Sequence, residues 1–280
     1  MGQEVGPSAG AGMEPVRIGI IGCAGRMGRQ NIETVLDSDG LVLSGGIERG
    51  GHPAIGTDLG ALVGREPAGC PVTDDLGKLV SMSDVLIEFS SPEATLVHGA
   101  VVAGQGKGHV VGTTGFSSAE MRSLESLGKR SPVLWSANMS LGVNLLLGLA
   151  EKVAAALGDD WDAEILEMHH RHKVDAPSGT ALALGRAVAA GRAVDLDAAS
   201  VRSRDGITGP RHQGSIGFAT LRGGDVVGEH VVMFVGEAER IELAHRATDR
   251  KIFARGAVRA ARWLAGKPAG FYRMSDVLGL

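Results

Sequence analysis

From Val16 to Trp135 the chain alternates short apolar runs with stretches of helical patterning. Val16–Ile21 has the length and β-rich character of a strand, and a helical pattern covers Arg26–Leu36. Strand-like runs recur at Leu41–Ile47, Val85–Phe89, Val110–Val111 and Val133–Trp135. Between them lie helical patterns at Pro92–Ala103, which opens on proline, and at Ser118–Lys129. Strands alternating with helices predict an α/β fold, a doubly wound parallel sheet of Rossmann type.

The pattern changes after Trp135. A long helix is predicted over Leu141–Leu157, then a strand over Ala163–Met168 and a helical pattern over Ala181–Ala189. Three strand candidates follow with little helix between them: Ser215–Leu221, His230–Val235 and Arg240–Ala244. Glycine marks their turns, at Arg222-Gly-Gly-Asp225 and Gly236-Glu237. A second α+β domain with a mostly antiparallel, sheet-rich core is the expectation. The last helix, Ile252–Ala265, ends at Gly266, where a left-handed cap fits.

Composition narrows the partners. A chain of 280 residues can bury a real core, and its net charge of −4, with no Lys/Arg-rich stripe, argues against nucleic acid. Cys23 and Cys70 are the only cysteines, which excludes a disulfide framework and fits a reducing, cytoplasmic setting. Met1–Glu14 is rich in Gly, Ala and Ser and lacks the basic and apolar regions of a signal peptide, so a flexible tail is expected. The longest apolar stretch, Met139–Leu157, carries Asn144, Glu151 and Lys152. A membrane span needs about 20 predominantly apolar residues, so this reads as a buried helix, and no membrane partner is expected.

Two segments carry candidate chemistry. Gly22-Cys23-Ala24-Gly25-Arg26-Met27-Gly28 follows a strand and opens a helix, the context of a dinucleotide fingerprint, although Ala24 stands at the middle glycine position. An ordinary strand–helix turn would read the same. Glu48, at the end of the second strand, adds a carboxylate where an adenosine ribose would be held, and Arg49 beside it could pair with a 2′-phosphate. The second segment gathers His169, His170, Arg171, His172 and Lys173 just before Ser178-Gly179-Thr180, which starts a helix. Cations beside a helix N-terminus suit an anion, and imidazole and ammonium groups can move protons. Imidazoles also bind zinc, but the fixed charges of Arg171 and Lys173 and the lack of a nearby cysteine oppose a dication, so no metal is expected. If the strand continued extended through this segment, His169, Arg171 and Lys173 would share one face.

With these motifs in place, the chain resembles the dihydrodipicolinate reductase family from about Val16 to its end. Glu164-Ile-Leu-Glu-Met-His-His-Arg-His-Lys-Val-Asp-Ala-Pro-Ser-Gly-Thr-Ala181 is similar to the family's signature nearly residue for residue. Gly22-x-x-Gly-Arg-Met-Gly28, Val111-Gly-Thr-Thr-Gly-Phe116 and Ser136-Ala-Asn-Met-Ser-x-Gly-Val143 resemble its other marked segments. The resemblance implies reduction of 4-hydroxy-tetrahydrodipicolinate, a small cyclic dicarboxylate, with NADPH or NADH in the diaminopimelate route to lysine. It implies His169 and Lys173 as proton donors, and His170, Gly179 and Thr180 as substrate contacts. Cofactor contacts would come from Gly22, Cys23, Ala24, Gly25, Arg26, Met27, Glu48, Arg49, Gly112, Thr113, Thr114, Ser136, Ala137, Asn138 and Met139. It also implies a homotetramer and a division into the tail (1–14), a dinucleotide-binding domain (15–138 with 250–280) and a substrate-binding and oligomerisation domain (139–249). Two positions depart from some relatives: Glu88 where Asp is common, and Ser91 where some carry Arg. The rival readings are another small-carboxylate dehydrogenase and a non-catalytic dinucleotide sensor, which would need no such cationic cluster.

Overall fold

The structure, a computed structural model, describes residues 14–280, so the expected tail lies outside the described residues except for Glu14. The first elements are β1 (Val16–Ile21), α1 (Arg26–Leu36), β2 (Leu41–Ile47), α2 (Leu59–Leu62), β3 (Val72–Thr73) and α3 (Leu76–Met82). Next come β4 (Val85–Glu88), α4 (Pro92–Gly104), β5 (Gly108–Val111), α5 (Ser118–Leu127) and β6 (Pro132–Trp135). The second half contributes α6 (Leu141–Leu157), β7 (Asp162–His169), α7 (Gly179–Gly191), α8 (Leu196–Ala199) and β8 (Ser200–Val201). It closes with β9 (Ile216–Arg222), β10 (Gly228–Val235), β11 (Arg240–Ala247), α9 (Lys251–Leu264), β12 (Gly270–Tyr272) and α10 (Met274–Leu278). Two compact units result. One comprises the described chain up to Val110, Ser117–Val133 and Ala261–Gly270; the other comprises Val111–Phe116, Leu134–Ala260 and Phe271–Leu280.

The parallel sheet has the strand order β3-β2-β1-β4-β5-β6-β12, and β1 pairs in parallel with both β2 and β4. This is the doubly wound order whose direction of winding reverses beside β1, where sheets of this kind bind ligands at their carboxyl ends. Ile18, Ile20, Val85, Leu86 and Ile87 are wholly buried, as strands covered on both faces require. Helix starts follow local chemistry. The Ser91 hydroxyl accepts from Ala94 N with Pro92 at the first turn, and Ser117 with Glu120 forms a capping box on α5.

Glu88 ends β4 with no exposed surface, and its carboxylate is held by His98 Nδ1 at 2.7 Å and His109 Nε2 at 2.8 Å. Burial alone would raise this carboxyl; the bonds from His109 and His98 outweigh it and lower it from the ordinary 4.5 to about 2. A depressed folded-state value contributes stability above the unfolded value that disappears as pH falls toward the folded one. The protein should therefore lose stability between about pH 4.5 and 2, while Glu88→Gln shows a flatter dependence there in denaturant melts. Parallel curves for the two proteins would contradict this linkage.

The mixed sheet has the order β11-β10-β7-β9-β8. β10 is antiparallel to β11 and β7 along its length, whereas β7–β9, joined by a crossover through α7 and α8, and β8–β9 are parallel. Alternating burial along β7 and β10 puts Ile165, Val232 and Phe234 on the face packed with Leu146 and Ala150 of α6 and Leu184 and Val188 of α7. Gly185 lets α7 lie against Phe218, whose ring would be 2.5 Å from an added Cβ. The opposite face carries half-buried Leu166, Met168, Val231 and Met233. Among the described residues no helix is long and apolar enough to cross a membrane.

Candidate active site

The glycine loop is shaped by contacts too close for side chains. Gly22 has φ 71°, and both Gly22 N and Cys23 N donate to Ile47 O, at 3.0 and 3.2 Å. Gly25 is the N-cap of α1 without a side-chain cap, so the first turn, with Arg26 and Met27, keeps its N–H groups directed out of the helix. A Cβ on Gly28 would sit 2.2 Å from Gly22 O. Ala24 N donates to Glu48 Oε1 at 2.8 Å, so the acid after β2 holds the loop by the residue at the middle glycine position. Arg49 next to it is exposed. Cys23 is buried, and burial followed by the charge of Glu48 pushes its thiol up to about 12, leaving it protonated.

The second unit holds a cavity of about 930 Å³, lined among others by Thr114, Ser136, Ala137, Asn138, His169, Lys173, Gly179 and Thr180. His169 is the last residue of β7, and its Nδ1 lies 2.5 Å from Glu167 Oε2. Glu167, 1% exposed, also accepts from both terminal guanidinium nitrogens of Arg222, at 2.8 and 2.9 Å, and from Ser178 N at 3.0 Å. Burial would raise its carboxyl, but Arg222, His169 and Ser178 N–H outweigh that and keep it below the ordinary carboxylate range. His230 stacks edge-on against His169 with ring centroids 5.1 Å apart, and its Nε2 meets Ser178 Oγ at 3.1 Å. Burial, then the neighbouring His169, pushes His230 down to about 4, so it is neutral at pH 7.

Ser178 caps α7 through Ala181 N at 3.1 Å, which leaves Gly179 and Thr180 as the first helical residues, with N–H groups that have no acceptor inside the helix. Thr180 Oγ1 accepts from Asn138 Nδ2 at 3.2 Å. Asn138 is itself fixed, since its Oδ1 accepts from Ser140 N at 2.9 Å and its carbonyl from Ser136 Oγ at 2.7 Å. Met139 is buried, and Gly256 of α9 lies on its carbonyl where an added Cβ would be 1.7 Å away. Thr113, beside Gly112, is buried and accepts from Trp135 Nε1 at 2.9 Å through its carbonyl. Lys173 Nζ pairs with Asp175 Oδ1 at 2.7 Å; this bond, against partial burial, keeps the Asp175 carboxyl low.

The extended reading of 167–173 is corrected. The strand stops at His169, because Gly223 N donates to His169 O while His170 N donates to Val226 O and Arg171 N to Gly224 O. The segment turns, Arg171 is exposed, and Lys173 comes back to the cavity without it. His170 takes another direction, with its Nε2 3.5 Å from Arg250 Nη2. Burial and the charge of Arg250 lower its pKa. Glu167, Arg222, His230 and Asp175 were not singled out from sequence. Glu167 had a signal, since it lies two residues before His169 and so on the same strand face; Arg222 and His230 are brought in by cross-strand register. Among the described residues no group of three or more His, Cys, Asp or Glu side chains is arranged to hold a metal ion.

A doubly wound sheet with a glycine turn after β1, carried in one chain with a pocket that joins imidazole, ammonium and a helix N-terminus, defines an oxidoreductase of the dinucleotide-fold class. Family models described as dihydrodipicolinate reductase match residues 16–139 (N-terminus) and 142–278 (C-terminus). The chain belongs to the dihydrodipicolinate reductase family. It is 53% identical over 268 residues to the 4-hydroxy-tetrahydrodipicolinate reductase of Afipia carboxidovorans, covering 96% of this chain and 98% of that one. It is 54% identical over 261 residues to the protein of the same name from Dinoroseobacter shibae, covering 93% and 97%. Among solved structures, the dipicolinate-bound dihydrodipicolinate reductase from Paenisporosarcina sp. TG-14 has the same fold, with a TM-score of 0.75 at 24% identity over 94% of this chain and 98% of that one.

The close approach of Gly28 to Gly22 O gives a direct check on the loop. Gly28→Ala should destabilise the protein by roughly 1–3 kcal/mol, the usual cost of overpacking. A denaturant midpoint unchanged from wild type would contradict it.

Proposed function

We propose that this chain reduces 4-hydroxy-tetrahydrodipicolinate to tetrahydrodipicolinate with NADPH or NADH, a step of the diaminopimelate route to lysine. The observation that carries the reading is one cavity edged by His169, Lys173 and the first residues of α7. The names of relatives matched over nearly the whole chain support the same substrate. Gly179 and Thr180 bind one carboxylate of the ring through backbone N–H groups and the hydroxyl, as helix N-termini bind anions. Lys173, held by Asp175 until substrate arrives, pairs with substrate and donates a proton. Loss of water, the C4 hydroxyl with a C5 proton, leaves a ring conjugated from C4 to its imine, and the nicotinamide, when bound, would supply hydride to that C4. The conjugated carbons then take up a proton, which His169 delivers from the cavity side.

Gly22–Met27, Glu48 and Arg49 hold the adenosine end of the cofactor, and 112–114 and 136–139 match further cofactor contacts of the family. The glycine turn, the uncapped first turn of α1 and the Glu48–Ala24 bond support the first assignment. The parallel-sheet part thus binds dinucleotide, while the mixed-sheet part binds substrate and assembles four copies through the face bearing Leu166, Met168, Val231 and Met233. The enzyme works in the cytoplasm and without a metal. With Ser91 capping α4, any cofactor contact made by an arginine there in relatives falls to other residues.

The test is NADPH or NADH oxidation at 340 nm, as in any nicotinamide assay, with substrate formed in situ from pyruvate and aspartate semialdehyde. Wild type should turn over, and His169→Gln should lower kcat by roughly 10²–10⁴ with little change in cofactor affinity. Wild-type protein that oxidises neither cofactor with this substrate overturns the reading.

Cofactor choice follows from Glu48 and Arg49. A carboxylate suits free ribose hydroxyls and an arginine fork suits a 2′-phosphate, so kcat/KM for the two cofactors should agree within roughly 30-fold. Arg49→Ala should weaken NADPH selectively, most at low salt, and leave NADH kinetics nearly unchanged. Equal damage to both would mean that Arg49 supports the loop and does not select.

A further inference from the structure

The carboxylate behind His169 has a contact pattern that an isolated ion pair does not need. Arg222 alone satisfies Glu167 with a fork of two bonds, one to each oxygen. Yet each oxygen takes a second donor. Oε1 accepts from Ser178 N, the N-cap of α7, and Oε2 lies 2.5 Å from His169 Nδ1. The side chain is 1% exposed, so no water competes for these places. Neither relatives' names nor the signature itself assigns it a task.

We propose that Glu167 is a positioning residue for the reduction: it keeps a proton on His169 Nδ1 and so presents Nε2 to the cavity as the atom that donates to substrate. The inference rests on the assignment of His169 as proton donor under Proposed function. An anionic acceptor on Nδ1 selects the Nδ1–H tautomer and stabilises the imidazolium. In turnover the Nε2–H bond breaks, its proton goes to the substrate carbon that hydride addition leaves electron-rich, and solvent restores the proton. Nδ1 keeps its own throughout.

The other charges around His169 leave this task to Glu167. From β9, Arg222 is matched by Glu167 itself; from the segment before α7, Lys173 is matched by Asp175. From β10, His230 is driven neutral by burial, and His170, beside Arg250, is also lowered. Glu167 is therefore the anion in contact with the His169 ring, and replacing it by an uncharged isostere would leave Arg222 unmatched nearby. The same carboxylate grips Ser178 N, so it places the imidazole and the first turn of α7 on one anchor.

Two experiments test this. In wild-type protein labelled with ¹⁵N-histidine, and assigned with His169→Gln, the neutral His169 ring should show the Nδ1–H tautomer. This needs neither substrate nor turnover, so it stands even if the reductase reading fails, and it avoids any variant that folds poorly. An Nε2–H tautomer would overturn the proposal. In turnover, Glu167→Gln, which removes the anionic acceptor from Nδ1, should lower kcat at least about tenfold while cofactor KM changes less than about threefold. An unchanged kcat, or a loss of kcat matched by an equal loss of cofactor affinity, would make Glu167 a structural residue only and overturn the proposal.

Discussion

Glu167 is a carboxylate buried in the middle of a sheet, and the second unit is organised around keeping it ionised there. An unpaired charge in such a place would cost several kcal/mol, so every lone pair must meet a donor. The donors come from three separate stretches of chain, Arg222 from β9, His169 from the end of β7 and Ser178 from the start of α7, while His230 from β10 packs against the His169 ring. Each is useful in its own place only if the sheet register is right. A slip of one residue in β7 would turn Glu167 and His169 to the opposite face, away from the helices. Fold and site therefore share one constraint. The alternation that buries Ile165 against α6 and α7 is the alternation that points Glu167 and His169 inward.

The parallel sheet meets a different constraint, the closeness of backbone to backbone. Gly22 takes a left-handed turn, Gly28 leaves room for its carbonyl, and Gly46 leaves room for Cys23. Glu48 then crosses from the end of β2 to the N–H of Ala24. A loop held in this way is set before any ligand arrives, which lowers the ordering cost of binding. It also explains why Ala24 is tolerated at the middle position: what is used there is the backbone N–H, and alanine supplies it.

Much of the framework was legible because long elements announce themselves by period. α1 and α6 run over the residues their patterns predicted, and α7 starts at Ser178-Gly179-Thr180, where the apolar pattern of Ala181–Ala189 opens. Short pieces were not legible. β3 has two residues, α2 four, and β12 three, too few for any period to show, and their places are set by neighbours in the sheet. In the site, the cationic cluster before a helix start, together with the family resemblance, pointed to His169, Lys173, Gly179 and Thr180, which line one cavity. Alternation failed beyond His169 because backbone bonds to the 223–226 turn bend the chain. Arg222 and His230 were invisible for a further reason. Their meeting with Glu167 and His169 depends on which strands become neighbours, 53 or more residues apart in sequence, and no local pattern encodes that.

The proposed role of Glu167 joins a proton-donating imidazole and an anion-binding helix turn through one buried carboxylate. A crystal structure of this protein with dipicolinate and oxidised nicotinamide cofactor bound tests it most directly. The account requires a dipicolinate carboxylate on the N–H groups of Gly179 and Thr180, His169 Nε2 facing the ring, and Nδ1 still on Glu167. Dipicolinate seated elsewhere, or a His169 ring turned away from Glu167 in the complex, would contradict it.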